Sequence, residues 1–286
     1  MHQMPPVVGS NGRRRRQPVT LDDLRAFEGV VRQHYPELRI EFKTDSFLQK
    51  ALGFLLYPFN PLYMTKYTST FAPVVYFPSR EAYEENPRAS FSLLAHEFVH
   101  LLDTKKHPLW FRFSYLFPQV LSPVAFGVYV LLARGQSWPL GLLLAGTLLA
   151  MLIARVSVAA FLVAIGLTLV GSCALAITTS GWASVALLVG LALLAPWPAP
   201  GRVHWERRGY AMTLACFQWM FGNVPQLLRE SVCRSFTGPF YFFMSWGKAS
   251  TASWAAQTVT EAATGPTKEG PYKIVWEFLQ SRGLVS

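Results

Sequence analysis

The chain reads as an α+β unit interrupted by an α-helical transmembrane insertion, and three observations carry that expectation. From Phe113 to Gly201 the only charged side chains are Arg134 and Arg155, and a membrane helix needs roughly 20 apolar residues. On both sides of this block the chain returns to mixed segments with helical or strand periodicity. Hydrophobic residues make up 51% of the chain and charged residues 15%, against about 25% charged in globular proteins. Disorder, collagen and coiled coil are thereby excluded. Three cysteines, with Cys173 inside a purely apolar run, do not make a disulfide framework and suit a thiol-reducing environment.

Three regions follow: residues 1–108, an α+β part; 109–198, a transmembrane block; and 199–286, a helical part. The block breaks into apolar segments at about 109–133, 139–154, 156–178 and 181–197. The net charge of +10 would suit nucleic acid or an anionic lipid surface. Arg13–Arg16 has no interleaved aromatics and reads as a solvated tail or cytoplasmic anchor, so a lipid bilayer is expected as partner and nucleic acid is not.

Along the first region, Thr20 is placed to cap a helix whose stripe is Leu21, Leu24, Phe27 and Val31. Arg39–Lys43 alternates with period two and predicts a half-buried strand. Asp45 would cap a second helix carrying Leu48, Leu52 and Leu55. Strands are then expected near Met64–Thr70 and at Val74–Phe77. Asn86-Pro87 opens the next helix, with Phe91, Leu94, Phe98 and Leu101 as its buried stripe, and Pro108 ends it.

That helix contains His96-Glu97-Phe98-Val99-His100. Residues four apart project from one helical face, so two imidazoles can share one Zn²⁺. Glu97 is one position off that pair, where its carboxylate can take a proton from water without ligating the metal. This is the HExxH pattern of zinc-dependent peptidases. Catalytic zinc takes a third protein ligand. A metzincin would place it six residues beyond His100, where this chain has Lys106. Glu206, on a helix expected over about 204–222, is the preferred candidate, and His204 is the alternative.

HExxH followed by an apolar block and a helix-borne Glu resembles the membrane gluzincins, the HtpX-like and CAAX-prenyl endopeptidase proteases, over roughly residues 64–220. The resemblance implies a gluzincin-like catalytic unit, a peptide or protein substrate, and Val74–Phe77 as a sheet edge against which an extended peptide could pair. Those relatives have Asp four residues after the third ligand, where this chain has Tyr210. Tyr210 can donate to a developing oxyanion, orient a ligand, or simply pack. Asp103, three residues beyond His100, can accept an imidazole N–H or sit as a surface carboxylate at the helix end.

If Glu206 and His100 share a metal, the block between them must cross the membrane an even number of times. Lys105, Lys106, Arg112, Arg155, Arg202, Arg207 and Arg208 then fall on one face and Arg134 on the other, which predicts an integral membrane protein with its catalytic site facing the cytoplasm. The expected function is a zinc metallopeptidase. A zinc hydrolase of a non-peptide amide or ester, and a non-enzymatic membrane protein with a chance HExxH, are the alternatives.

Overall fold

The computed structural model describes residues 18–57, 60–118, 198–238, 247–266 and 269–285, residues 244 and 245, and scattered positions between 121 and 190. The chain divides into two compact units, one of residues 1–106, 206–232 and 252–286, the other of 107–205 and 233–251. The described residues are mostly helical, with one three-stranded sheet.

The first unit opens with α1, Leu21–His34, under a reciprocal cap: Thr20 Oγ1 accepts from the Asp23 N–H, and Asp23 accepts from the Thr20 N–H. β1, Arg39–Phe42, lies parallel to β3, Val74–Phe77, while β2, Ser69–Phe71, runs antiparallel on the other side of β3. Between β1 and β2 lie α2, Phe47–Leu56, and the single turn α3, Tyr63–Lys66. α4, Arg80–Glu85, follows the sheet and leads into α5, Pro87–Lys106, whose first turn is closed by Asn86 Oδ1 accepting from the Ala89 N–H.

α5 is the central element. Phe91, Leu94, Phe98 and Leu101 are wholly buried, and complete burial of such side chains contributes roughly 1.5–3 kcal/mol each. Phe27 of α1 packs on Phe91 and Phe98, and Phe278 joins them from α10, Pro271–Ser281. The same core takes in Ala211, Met212, Ala215 and Cys216 of α7, Pro200–Phe221. Gly222, at φ 65°, ends α7 by letting its N–H return to the Gln218 carbonyl. α8, Gln226–Thr237, and α9, Lys248–Ala262, complete the order, and Trp219 Nε1 donates to the Ala262 carbonyl. In the second unit, α6, Pro108–Leu116, receives the Trp205 indole N–H on Ser114 Oγ and the Arg202 guanidinium on the Tyr115 carbonyl.

Several expectations are corrected. Among the described residues no helix is long and apolar enough to cross a membrane. α6 is nine residues long, and the longer α7 carries Arg202, Glu206, Arg207 and Arg208, charges that a bilayer core excludes. The transmembrane insertion, the transmembrane helix assignment, the integral-membrane placement and the cytoplasmic facing built on it are therefore not supported. Apart from α6 and scattered positions, the four apolar segments lie outside the described residues, as do Arg13–Arg16.

Within the first unit, Val74–Phe77 is the central strand rather than an edge, because β1 and β2 cover both its sides. Tyr63–Lys66 is a helical turn rather than strand: the Tyr63 N–H bonds back to the Asn60 carbonyl, and the Tyr63 carbonyl accepts from Lys43 Nζ at 2.8 Å. The α2 cap is Ser46, not Asp45. Its inward residue is Gln49, which accepts from the Tyr63 hydroxyl, while Phe47, Leu48 and Phe54 are exposed.

Candidate metal centre

His96 and His100, one turn apart on α5, meet Glu206 of α7, and all three side chains are buried, at 7%, 5% and 5% exposure. His96 Nε2 lies 3.1 Å from His100 Nε2. Glu206 Oε2 lies 3.6 Å from His96 Nε2 and 4.0 Å from His100 Nε2. Ligands at 2.0–2.1 Å around a tetrahedral ion sit about 3.3 Å apart. The triad has nearly that spacing already, and two imidazoles with one carboxylate form a donor set that catalytic zinc accepts. The residues fit the metal.

The electrostatics are those of crowded ligands. Burial works against a charge on His96, but the hydrogen bond it donates to Glu206 and the charges of Glu97 and Glu206 outweigh it, raising its pKa above the ordinary imidazole value. For His100 burial prevails and the pKa is lowered, with Glu206 opposing and His96 assisting. Glu206 thus favours the charged form of both imidazoles, but it prevails over burial only at His96.

Glu97 is buried beside the pair and faces the sheet, where Thr70 Oγ1 of β2 donates to its Oε2 at 2.7 Å. Lys43, just beyond β1, is wholly buried with its ammonium 3.5 Å from the centre of the Tyr63 ring. Burial pulls the Lys43 pKa down to about 7, and the negative charge of Glu97 opposes that shift.

The α7 face supplies the rest. Gly209 lies under His96, and a Cβ there would come within 2.5 Å of His96 Nε2. Tyr210 stands edge-on to the same imidazole, ring centres 4.8 Å apart. Thr213 Oγ1 is 3.2 Å from His96 Nδ1. Asp103, buried, receives both Nε and Nη2 of Arg208 at 2.8 Å each. That pairing raises the Arg208 pKa, and the Arg208 carbonyl accepts from the Tyr272 hydroxyl of α10. Asp103 therefore fastens α5 to α7 close to the candidate ligands on both helices.

His204, the alternative third ligand, is exposed and stands edge-on to Trp205. The candidates brought into one cluster are His96, His100 and Glu206, with Glu97, Tyr210 and Asp103 around them. Sequence reasoning missed Thr70, Lys43, Arg208, Gly209 and Thr213. Two of these had a readable trace: Gly209 and Thr213 fall three and seven residues after Glu206, one helical stripe, and glycine inside a helix costs roughly 0.5–1 kcal/mol against alanine and so needs a reason. No protein-family model, curated protein or solved structure matches the chain.

Proposed function

We propose that this protein is a zinc-dependent metallopeptidase of the gluzincin kind that its HExxH pattern resembles, with His96, His100 and Glu206 as ligands and Glu97 as general base. The observation that supports it is the meeting of three buried donor atoms at near-tetrahedral spacing, beside a carboxylate that is not one of them. Bound zinc supplies Lewis acidity, polarising a substrate carbonyl and acidifying water at neutral pH.

The chain's own residues do the remaining work. Thr70 occupies Glu97 Oε2, so Oε1 accepts the proton of the attacking water and later returns it to the leaving amine. Gly209 leaves space for the His96 ring, and the Asp103–Arg208 pair holds the register between the two ligand-bearing helices. A peptide is the proposed substrate class.

The test is zinc content and peptide hydrolysis of the purified protein. About one equivalent of zinc is expected, retained in Glu97→Gln, with hydrolysis nearly lost in that variant. Wild-type turnover by Glu97→Gln on a peptide library would remove the proposed base. An absence of zinc after metal loading would remove the metal centre.

A further inference from the structure

Thr213 lies on α7, seven residues beyond Glu206, and is buried at 9% exposure. Its hydroxyl oxygen is 3.2 Å from His96 Nδ1 and 3.4 Å from the Gly209 carbonyl oxygen. A threonine hydroxyl has one proton to donate, and a carbonyl can only accept. With that proton directed to Gly209, an oxygen lone pair faces Nδ1. Nδ1 must then be the protonated nitrogen, and in a neutral imidazole this leaves Nε2 with its lone pair. Nε2 is the atom that faces His100 Nε2 at 3.1 Å and Glu206 Oε2 at 3.6 Å.

We propose that Thr213 is a positioning residue, whose hydroxyl selects the Nδ1-protonated tautomer of His96 and so presents Nε2 to a divalent metal. One helix thereby sets the proton position of a ligand carried by another. Gly209 takes part twice, because its carbonyl orients the hydroxyl and its missing side chain leaves room for the ring. Thr213 need never touch substrate or metal to do this. The inference rests on the metal reading above, and its test separates the two.

The variants are Thr213→Val, which keeps the shape and removes the hydroxyl, and Thr213→Ser, which restores it. Zinc affinity should fall roughly 10–100-fold in Thr213→Val, the range typical of losing a partner behind a ligating histidine, and return close to wild type in Thr213→Ser. The second measurement is a long-range proton–nitrogen-15 correlation spectrum of the zinc-loaded protein, wild type and Thr213→Val. His96 should carry its proton on Nδ1 there, and that proton should exchange with solvent faster in Thr213→Val, where its acceptor is gone. Wild-type zinc affinity in Thr213→Val, or an Nε2 proton on His96 in the wild type, overturns the proposal. If Thr213→Val does not fold, the wild-type spectrum decides. If the wild type takes up no zinc, the metal reading fails and the proposal falls with it, whereas zinc uptake with unchanged affinity in Thr213→Val removes the proposal alone.

Discussion

α5 and α7 both carry residues of the candidate metal centre, but they do so by different means. α5 contributes His96 and His100 through spacing alone: four residues of helix bring two imidazoles to one face wherever that helix sits. Its own core stripe, Phe91, Leu94, Phe98 and Leu101, is wholly buried and holds that face still. α7 contributes one member of the cluster, Glu206, and then a set of accommodations: a gap at Gly209, an aromatic edge at Tyr210, a hydroxyl at Thr213 and a clamp at Arg208. None of these has meaning until α7 lies against α5. A histidine pair can thus be written locally, while the groups that orient it depend on docking.

The comparison can be broken most directly by removing one ligand from each helix. His96→Ala and Glu206→Ala should both abolish stoichiometric zinc binding, measured by metal content after dialysis. Full retention in Glu206→Ala would show that α7 contributes no ligand and leave the α5 pair alone.

Gly209→Ala asks whether the gap matters as much as a ligand. A Cβ at 2.5 Å from His96 Nε2 must displace the ring, so zinc affinity should drop roughly 10–100-fold, as for other losses of ligand orientation. Stability should fall as well, since forcing a buried ring aside costs about 1–3 kcal/mol, more than the up to about 1 kcal/mol by which a helix favours alanine over glycine. Calorimetric titration with zinc and a thermal melt check both parts. Unchanged affinity would mean that the ring has freedom to move aside.

On the sheet side of α5, Lys43 gives a stability test that owes nothing to the metal. Its folded pKa, about 7, is below the ordinary 10.5. Between these values the unfolded chain binds the proton and the folded chain does not, so stability rises with pH across that window and is level below pH 7. Lys43→Met should therefore be more stable than wild type at pH 7, by about 1–4 kcal/mol as in other replacements of buried charge by an apolar side chain. That advantage should shrink toward pH 10.5. Denaturant unfolding at several pH values measures it, and an advantage that is the same at all of them would discount Lys43 as the cause.

The smallest effect is expected at Thr70. Thr70→Val removes one neutral donor from the Glu97 carboxylate, an interaction contributing about 1 kcal/mol, hence roughly fivefold. The loss should appear in kcat on a peptide, with zinc content unchanged. A loss of zinc instead would connect β2 to the ligands rather than to the base.

Much of α1 and α5 was legible because their information is local. Thr20 and Asp23 cap within one turn, and the apolar stripes repeat with the helix. Val74–Phe77 was readable as a strand for the same reason, since it is a short run of β-branched and aromatic residues. Its place in the sheet was not, because strand order depends on which segments return to pair with it. The segment at Tyr63–Lys66 was misread for a related reason: Lys43, from beyond β1, takes the Tyr63 carbonyl and helps hold a turn there. The membrane reading rested on hydropathy over Phe113–Gly201, and hydropathy measures only the preference of side chains for an apolar surrounding. It does not supply the long continuous helix that a crossing requires, and none is found among the described residues.

The sequence by itself determined the chemistry carried on α5, two imidazoles and an offset carboxylate, because 3.6 residues per turn converts their spacing into geometry. It also determined that a Glu on a later helix could complete the donor set. Only the tertiary structure decided that Glu206 rather than His204 joins the cluster, that Asp103 takes Arg208 as its partner, and that Thr213 stands behind His96. These are contacts between helices far apart in the chain. Their geometry is set by the packing of whole apolar faces, and no spacing within either helix encodes it.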